Sequence, residues 1–240
     1  MAKSEYEKMF LAETNYFWFV AKQKLLFEIL RQINLPQAPS LLDLGAGTGI
    51  TLKQLEKSGF AIGLDPFPEA LEFCRNRELK NLVLGSGEKL PFKDNSFDLI
   101  SSLDTIEHTD NPLRMLSQVF RVLAPGGYFI LSAPAYPRLS SRHDLALEHK
   151  LRYTKKRLET LLKEAGFRIE KLGYFYGSVF PFALSLKFFQ KWYGSKTQTI
   201  SYYLPFPLNQ VLLGLCALEA KLFNRWSFPF GTSLIAVCKK

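Results

Sequence analysis

Short unbroken apolar runs alternate along this chain with stretches whose apolar residues recur every three or four positions. The runs at 41–44, 60–64, 81–84, 97–103, 128–133, 167–172 and 233–238 read as strands. The periodic stretches at 50–58, 68–77, 112–123 and 154–165 read as helices. Their punctuation agrees: Pro112 suits a first helical turn, Thr154 an N-cap, and Gly166 a helix stop. Strand–helix alternation predicts a parallel sheet covered on both faces. The run at 233–238 has no helix after it and is expected to pair antiparallel at the sheet edge. Residues 6–32 read as one helical stretch containing the aromatic run Tyr16-Phe17-Trp18-Phe19, which packs on the sheet, caps a ligand mouth, or does both. Between the last two strands lies a long aromatic insertion with helix candidates at 182–192 and 208–225 and with Pro181, Pro205, Pro207 and Pro229.

Composition adds a bound. At 240 residues and 47% hydrophobic the chain can bury a core, and a disordered or collagen-like chain is excluded. The expected organisation is one domain over 1–240. It has a helical cap at 1–38, a core at 39–172 and 232–240, and a basic aromatic insertion at 173–231. Cys74, Cys216 and Cys238 are scattered and odd in number, which forms neither a metal knuckle nor a disulfide framework. With a polar N-terminal stretch, this predicts a cytoplasmic protein. The net charge of +9 is uneven: 14 basic and 16 acidic residues in 1–135, against 17 and 6 in 136–240.

Gly45-Ala46-Gly47-Thr48-Gly49 follows an apolar strand and opens a helix. Glycines there let the backbone turn sharply and approach a ligand at the carboxyl end of the sheet. A dinucleotide fingerprint would place a small residue where Ile50 stands, so the spacing is Gly-x-Gly-x-Gly instead. Asp65, at the end of the second strand, can bond a ribose diol for either a dinucleotide or another nucleoside cofactor.

The segment 41–49 resembles the first motif of class I S-adenosylmethionine (SAM)-dependent methyltransferases. Asp65 matches their acidic residue after strand two. Gly85-Ser86-Gly87-Glu88-Lys89-Leu90-Pro91-Phe92 with Asn95-Ser96-Phe97-Asp98 is similar to their Gly-Asp-Ala-Glu-x-Leu-Pro-Phe…Ser-Phe-Asp signature. Leu103-Asp104-Thr105-Ile106-Glu107-His108 resembles the post-strand-four motif of the small-molecule, ubiquinone-biosynthesis-like "type 11" branch, and 121–127 resembles its turn into strand five. The resemblance implies a Rossmann-like, doubly wound α/β fold: seven strands with the last antiparallel, an N-terminal helical cap, and a helical insertion between strands six and seven. It implies SAM as cofactor, held by Asp43, Gly45, Ala46, Gly47, Gly49, Asp65, Ser86, Gly87, Glu88 and Asp104. Ser86 replaces the family's adenine-contacting Asp. It can accept a hydrogen bond only without charge, unless Glu88 compensates.

Methyl transfer from a sulfonium needs alignment above all, because the leaving sulfur becomes neutral. His108, after the fourth strand, is the candidate base. Glu107 orients it or faces solvent. Tyr16, Trp18, Tyr136, His143, His149 and Arg152 are candidate substrate contacts. His143, Asp144 and His149 are too sparse a set to predict a metal, so none is expected. The expected acceptor is a small molecule, glycan or lipid-linked group, methylated at oxygen. The alternatives are a nucleic-acid methyltransferase, and a SAM-binding, membrane-associated interaction protein without turnover. No RNA-binding module or Asn/Asp-Pro-Pro-Tyr motif accompanies the charge, which disfavours nucleic acid. Residues 174–230 hold 16 of the 34 aromatics. Lys187, Lys191, Lys221 and Arg225 among them suit the anionic inner face of a membrane, or a helical subdomain with solvated charges.

Overall fold

The computed structural model describes residues 3–139, 144, 147–181, 184 and 204–240. Its centre is a seven-stranded sheet in the order β3-β2-β1-β4-β5-β7-β6. The strands are β1 (Ser40–Leu44), β2 (Phe60–Asp65), β3 (Leu82–Leu84), β4 (Phe97–Leu103), β5 (Leu123–Pro134), β6 (Arg168–Phe175) and β7 (Ser233–Lys239). The first five pair in parallel, and β7 runs antiparallel to both β5 and β6. The helices are α1 (Lys3–Ala12), α2 (Phe17–Leu30), α3 (Ile50–Leu55), α4 (Pro68–Asn76), α5 (Pro112–Val122), α6 (Lys155–Glu164) and α7 (Phe206–Leu222).

The strand alternation sorts the core into two layers, because successive side chains leave a strand on opposite faces. Leu41, Ile130, Ile235 and Val237 join Leu25, Leu26 and Ile29 of α2 and Leu212 and Cys216 of α7 on one face. Leu42, Phe129, Leu131, Leu234 and Ala236 join Met115 and Val119 of α5 and Leu158 and Leu162 of α6 on the other. The expected cap at Thr154 and stop at Gly166 form, and Asn111 adds a cap ahead of Pro112. Asn111 accepts from Arg114 N and Thr154 from Arg157 N, while Gly166 takes φ +98°.

Three expectations change. The last strand is not at the edge. β7 inserts between β5 and β6, and its buried run Leu234-Ile235-Ala236-Val237-Cys238 is the composition of a strand flanked on all sides. The edge belongs to β6, where Arg168, Glu170 and Lys171 blunt the open hydrogen-bonding side. The single helix expected over 6–32 is broken at 13–16. There Asn15 and Tyr16 donate to Ala12 O, and Asn209 of α7 bridges the joint: its Oδ1 accepts from Phe17 N at 2.9 Å and its Nδ2 donates to Asn15 O at 2.8 Å. The Pro125-Gly126-Gly127 turn lies inside β5, as a register shift against β4 with Gly126 at φ +77°. The helix candidate 208–225 is α7, Phe206–Leu222. The candidate 182–192 lies outside the described residues apart from 184.

Candidate functional site

The strand order reverses at β1, with β2 on one side and β4 on the other. The carboxyl ends of these three strands open into one cavity of about 180 Å³. Gly45, Ala46 and Gly47 line it from β1, Asp65 from β2, and Asp104 and His108 from beyond β4. Gly45 sits at φ +78°, where a Cβ would lie 2.2 Å from Thr105 Oγ1. Gly47 sits at φ +54° and faces open space, its nearest neighbour being Gly45 O at 4.0 Å. These glycines give the turn its conformation and leave its backbone bare towards the cavity.

Asp65 is buried and accepts from Gly47 N at 2.9 Å and Phe67 N at 3.0 Å. Burial pushes its carboxyl up, and the two amides offset part of that. Asp104 adopts φ +52° and accepts from Ser132 Oγ at 2.6 Å. It also pairs with Lys22, which α2 extends to the cavity. Burial acts to raise the Asp104 pKa, but the Lys22 ammonium and the Ser132 hydroxyl outweigh it and hold the carboxyl below its usual range. His108 is pushed down to about 4 by burial and by His149 beside it.

The N-terminal segment both caps the cavity and packs on the sheet. Tyr6, Met9, Glu13, Phe19, Lys22 and Gln23 line the cavity, while Ala21, Leu25 and Ile29 enter the core. Glu13 is buried, bonds Thr48 Oγ1, and forms an ion pair with Arg77 at 2.6 Å. No motif marks Glu13 or Lys22. Glu13 stands as a single charge after an apolar run, and Lys22 shares its run with Lys24.

Several expected contacts lie elsewhere. Asp43 is buried behind the glycine turn, with Oδ1 accepting from Ser101 at 2.7 Å. Gly49 packs on Cys74 and Leu79, and Gly87 on Met115 and Leu44. Ser86 Oγ accepts from Glu88 N, shaping its turn. Glu88 Oε1 accepts from Thr109 Oγ1, Asp110 N and Asn111 N, which fixes the approach to α5. Tyr16 ends the α1–α2 joint, and Trp18 stacks on Tyr176 at 3.9 Å, so neither lines the cavity; Phe19 does instead. Helical spacing explains the exchange, since Phe19, Lys22 and Gln23 share one face of α2. Tyr136 stacks on Tyr174 at 5.4 Å, away from the cavity lining. Arg152 is held by Asp144 and Ala135 O. His149 donates from Nδ1 to Asp144, and His143 lies outside the described residues. Glu107 does not face solvent; it is fully buried.

A methyltransferase-domain family model matches residues 42–131. The Mycolicibacterium smegmatis protein named "Probable S-adenosylmethionine-dependent methyltransferase" is 31% identical over 173 residues, covering 70% of this chain and 66% of that protein. An uncharacterised methyltransferase of Schizosaccharomyces pombe is 33% identical over 133 residues, 47% of this chain and 48% of its own length. The chain thus spans about half or less of the length of the first curated relatives it matches. Among solved structures, a SAM-dependent methyltransferase from Thermotoga maritima superposes with TM-score 0.60 at 19% identity, covering 99% of this chain and 95% of that one. At that identity the likeness shows the fold alone.

Proposed function

Because the chain belongs to the class I SAM-dependent methyltransferases, in their type 11 branch, we propose that it binds SAM in the cavity above β1, β2 and β4 and passes the methyl group to an acceptor oxygen. The observation that carries this reading is the convergence of the bare Gly45–Gly47 backbone, Asp65, Asp104 and His108 on one space. Asp65, at the carboxyl end of β2 in the cavity lining, is the acceptor for the ribose diol in this reading. Lys22 and Asp104 offer opposite charges to the carboxylate and ammonium of the donor's amino-acid end. Ser86, whose hydroxyl shapes its own turn, leaves the adenine amino group without a charged acceptor, and Glu88, held by three donors, does not replace the missing carboxylate.

In the transfer, an acceptor oxygen lone pair forms the C–O bond as the C–S bond breaks. The sulfur keeps the electron pair and becomes a neutral thioether, and the acceptor's proton leaves to solvent or a base. Positioning therefore dominates, and His108, at the cavity mouth, is assigned to activating the acceptor. The acceptor class favoured is a small molecule, glycan or lipid-linked group. The outward stripe Val211, Leu215, Leu218 and Leu222 on α7, beside Lys221 and Arg225, supports a lipid portion or a membrane contact.

Calorimetric titration with SAM tests the cofactor assignment. The wild type is expected to bind. Asp65→Ala should lose at least tenfold in affinity through the missing charged acceptor, and Gly47→Arg should lose binding by filling the cavity. Absence of binding by the wild type would sink the reading. Labelled SAM with fractionated extracts then identifies the acceptor, and His108→Ala is expected to lower transfer while leaving SAM affinity within a few fold.

A further inference from the structure

Beside the cavity, the turn after β4 and His149 form a second polar cluster that shares only His108 with the transfer site. Glu107 is fully buried, and neither carboxylate oxygen has a hydrogen-bond partner among the described residues. A buried, unsatisfied carboxylate is costly. The cations near it are already engaged: Lys22 pairs with Asp104, and Arg152 with Asp144. Among the described residues no Lys or Arg is left over as a countercharge for Glu107.

Two imidazoles converge on it. His149 Nδ1 meets Asp144 Oδ1 at 2.9 Å, and a carboxylate there only accepts, so Nδ1 carries the hydrogen and Nε2 the lone pair. That Nε2 lies 3.9 Å from Glu107 Oε1, too far for a hydrogen bond but close enough for two ligands of one ion. His108 Nδ1 meets Glu148 O at 3.3 Å, and a carbonyl also only accepts, so its lone pair is again on Nε2. The rings stand 4.9 Å apart at 78°, and one ligand atom from each of Glu107, His108 and His149 falls within 4.8 Å of the other two.

We propose that Glu107, His108 and His149 bind one first-row divalent metal ion at the edge of the cavity. Three protein ligands with open positions describe a reactive site rather than a closed structural one. Asp144 supplies the supporting carboxylate that commonly fixes a ligating imidazole, and Arg152 fixes Asp144 in turn through bonds of 2.8 and 2.9 Å. Asp144 therefore acts behind the site, while the third ligand comes from Glu107.

Because His108 belongs to both the cluster and the cavity lining, an open position of the ion faces the acceptor's approach. An acceptor hydroxyl bound there would have its pKa lowered, releasing its proton to solvent before attack on the methyl carbon. That role rests on the proposed methyl transfer; the binding of the ion does not.

The test uses the full chain, freed of metal with a chelator. Titration with Co²⁺ is expected to give d–d absorption bands of a low-coordinate N/O site that saturate at one equivalent and are displaced by Zn²⁺. Glu107→Gln and His149→Ala are expected to weaken Zn²⁺ binding at least tenfold in calorimetry, and Asp144→Asn by about 10–100-fold. SAM titration of the same samples separates loss of the metal from loss of the cofactor site. No stoichiometric Co²⁺ or Zn²⁺ binding by the wild type would overturn the proposal, with no variant needed. Unchanged binding in folded Glu107→Gln and His149→Ala would overturn it as well.

Discussion

Asp43 places a carboxyl among Leu41, Leu42 and Leu44 at the centre of the sheet, and one of its oxygens has no hydrogen-bond partner among the described residues. Burial, with the Asp65 charge nearby, raises its pKa to about 7, from which the Ser101 hydroxyl only partly recovers. The sign of the consequence is fixed. The unfolded chain ionises near 3.8 and the folded one near 7, so stability falls as pH rises through that window, by at most on the order of 4 kcal/mol. Asp43→Asn keeps an acceptor for Ser101 and removes the titration. Thermal unfolding of the cofactor-free protein between pH 5 and pH 8 should show a decline in the wild type that is smaller in the variant. Equal slopes would mean that Asp43 ionises in the fold without cost. The residue reads as a cofactor ligand in the sequence because its motif is local, whereas its depth depends on β2 and β4 pairing on either side of it.

At the scale of elements, Tyr16-Phe17-Trp18-Phe19 divides its work within one helical turn. Trp18 stacks on Tyr176, whose hydroxyl donates to Trp18 O, and Phe19 lines the cavity. Denaturant unfolding and SAM titration should therefore part the neighbours. Trp18→Ala is expected to cost about 2–4 kcal/mol of stability with little change in SAM affinity, and Phe19→Ala the reverse. Elements with local signals were legible in the chain: Pro112 at the start of α5, Thr154 and Gly166 around α6, and the apolar run of β4, whose span matches its expected one. What was not legible depends on partners far along the chain. The joint between α1 and α2 is bridged by Asn209, and the place of β7 is set by two strands that precede it by tens of residues. The glycine turn, Asp65, Asp104 and His108 could be picked out by motif. Glu13 and Lys22 could not, because they enter the site only when the cap folds back over Thr48 and Asp104.

For the whole molecule, the charge split gains a shape. The basic half contributes α7, whose outward apolar stripe is flanked by Lys221 and Arg225. Among the described residues no helix is long and apolar enough to cross a membrane, and the stripe has the apolar face and basic flank that suit contact with a membrane surface. Flotation with phosphatidylserine-containing vesicles is expected to carry the protein upward at low salt and less at high salt, and Val211→Glu with Leu218→Glu should weaken it. Flotation that ignores both salt and the substitutions would remove the membrane from the account. The position of β7 also has a consequence for how the molecule comes into being. β5 and β6 never touch as a strand pair, so β6 has no partner in the sheet until 233–239 arrives, after the whole excursion 176–232. A ribosome adding about 5–20 residues per second holds that gap open for several seconds. During that interval the nascent chain carries the bare edge of β5, and closure of the sheet waits on a strand that must slide in between two others already made.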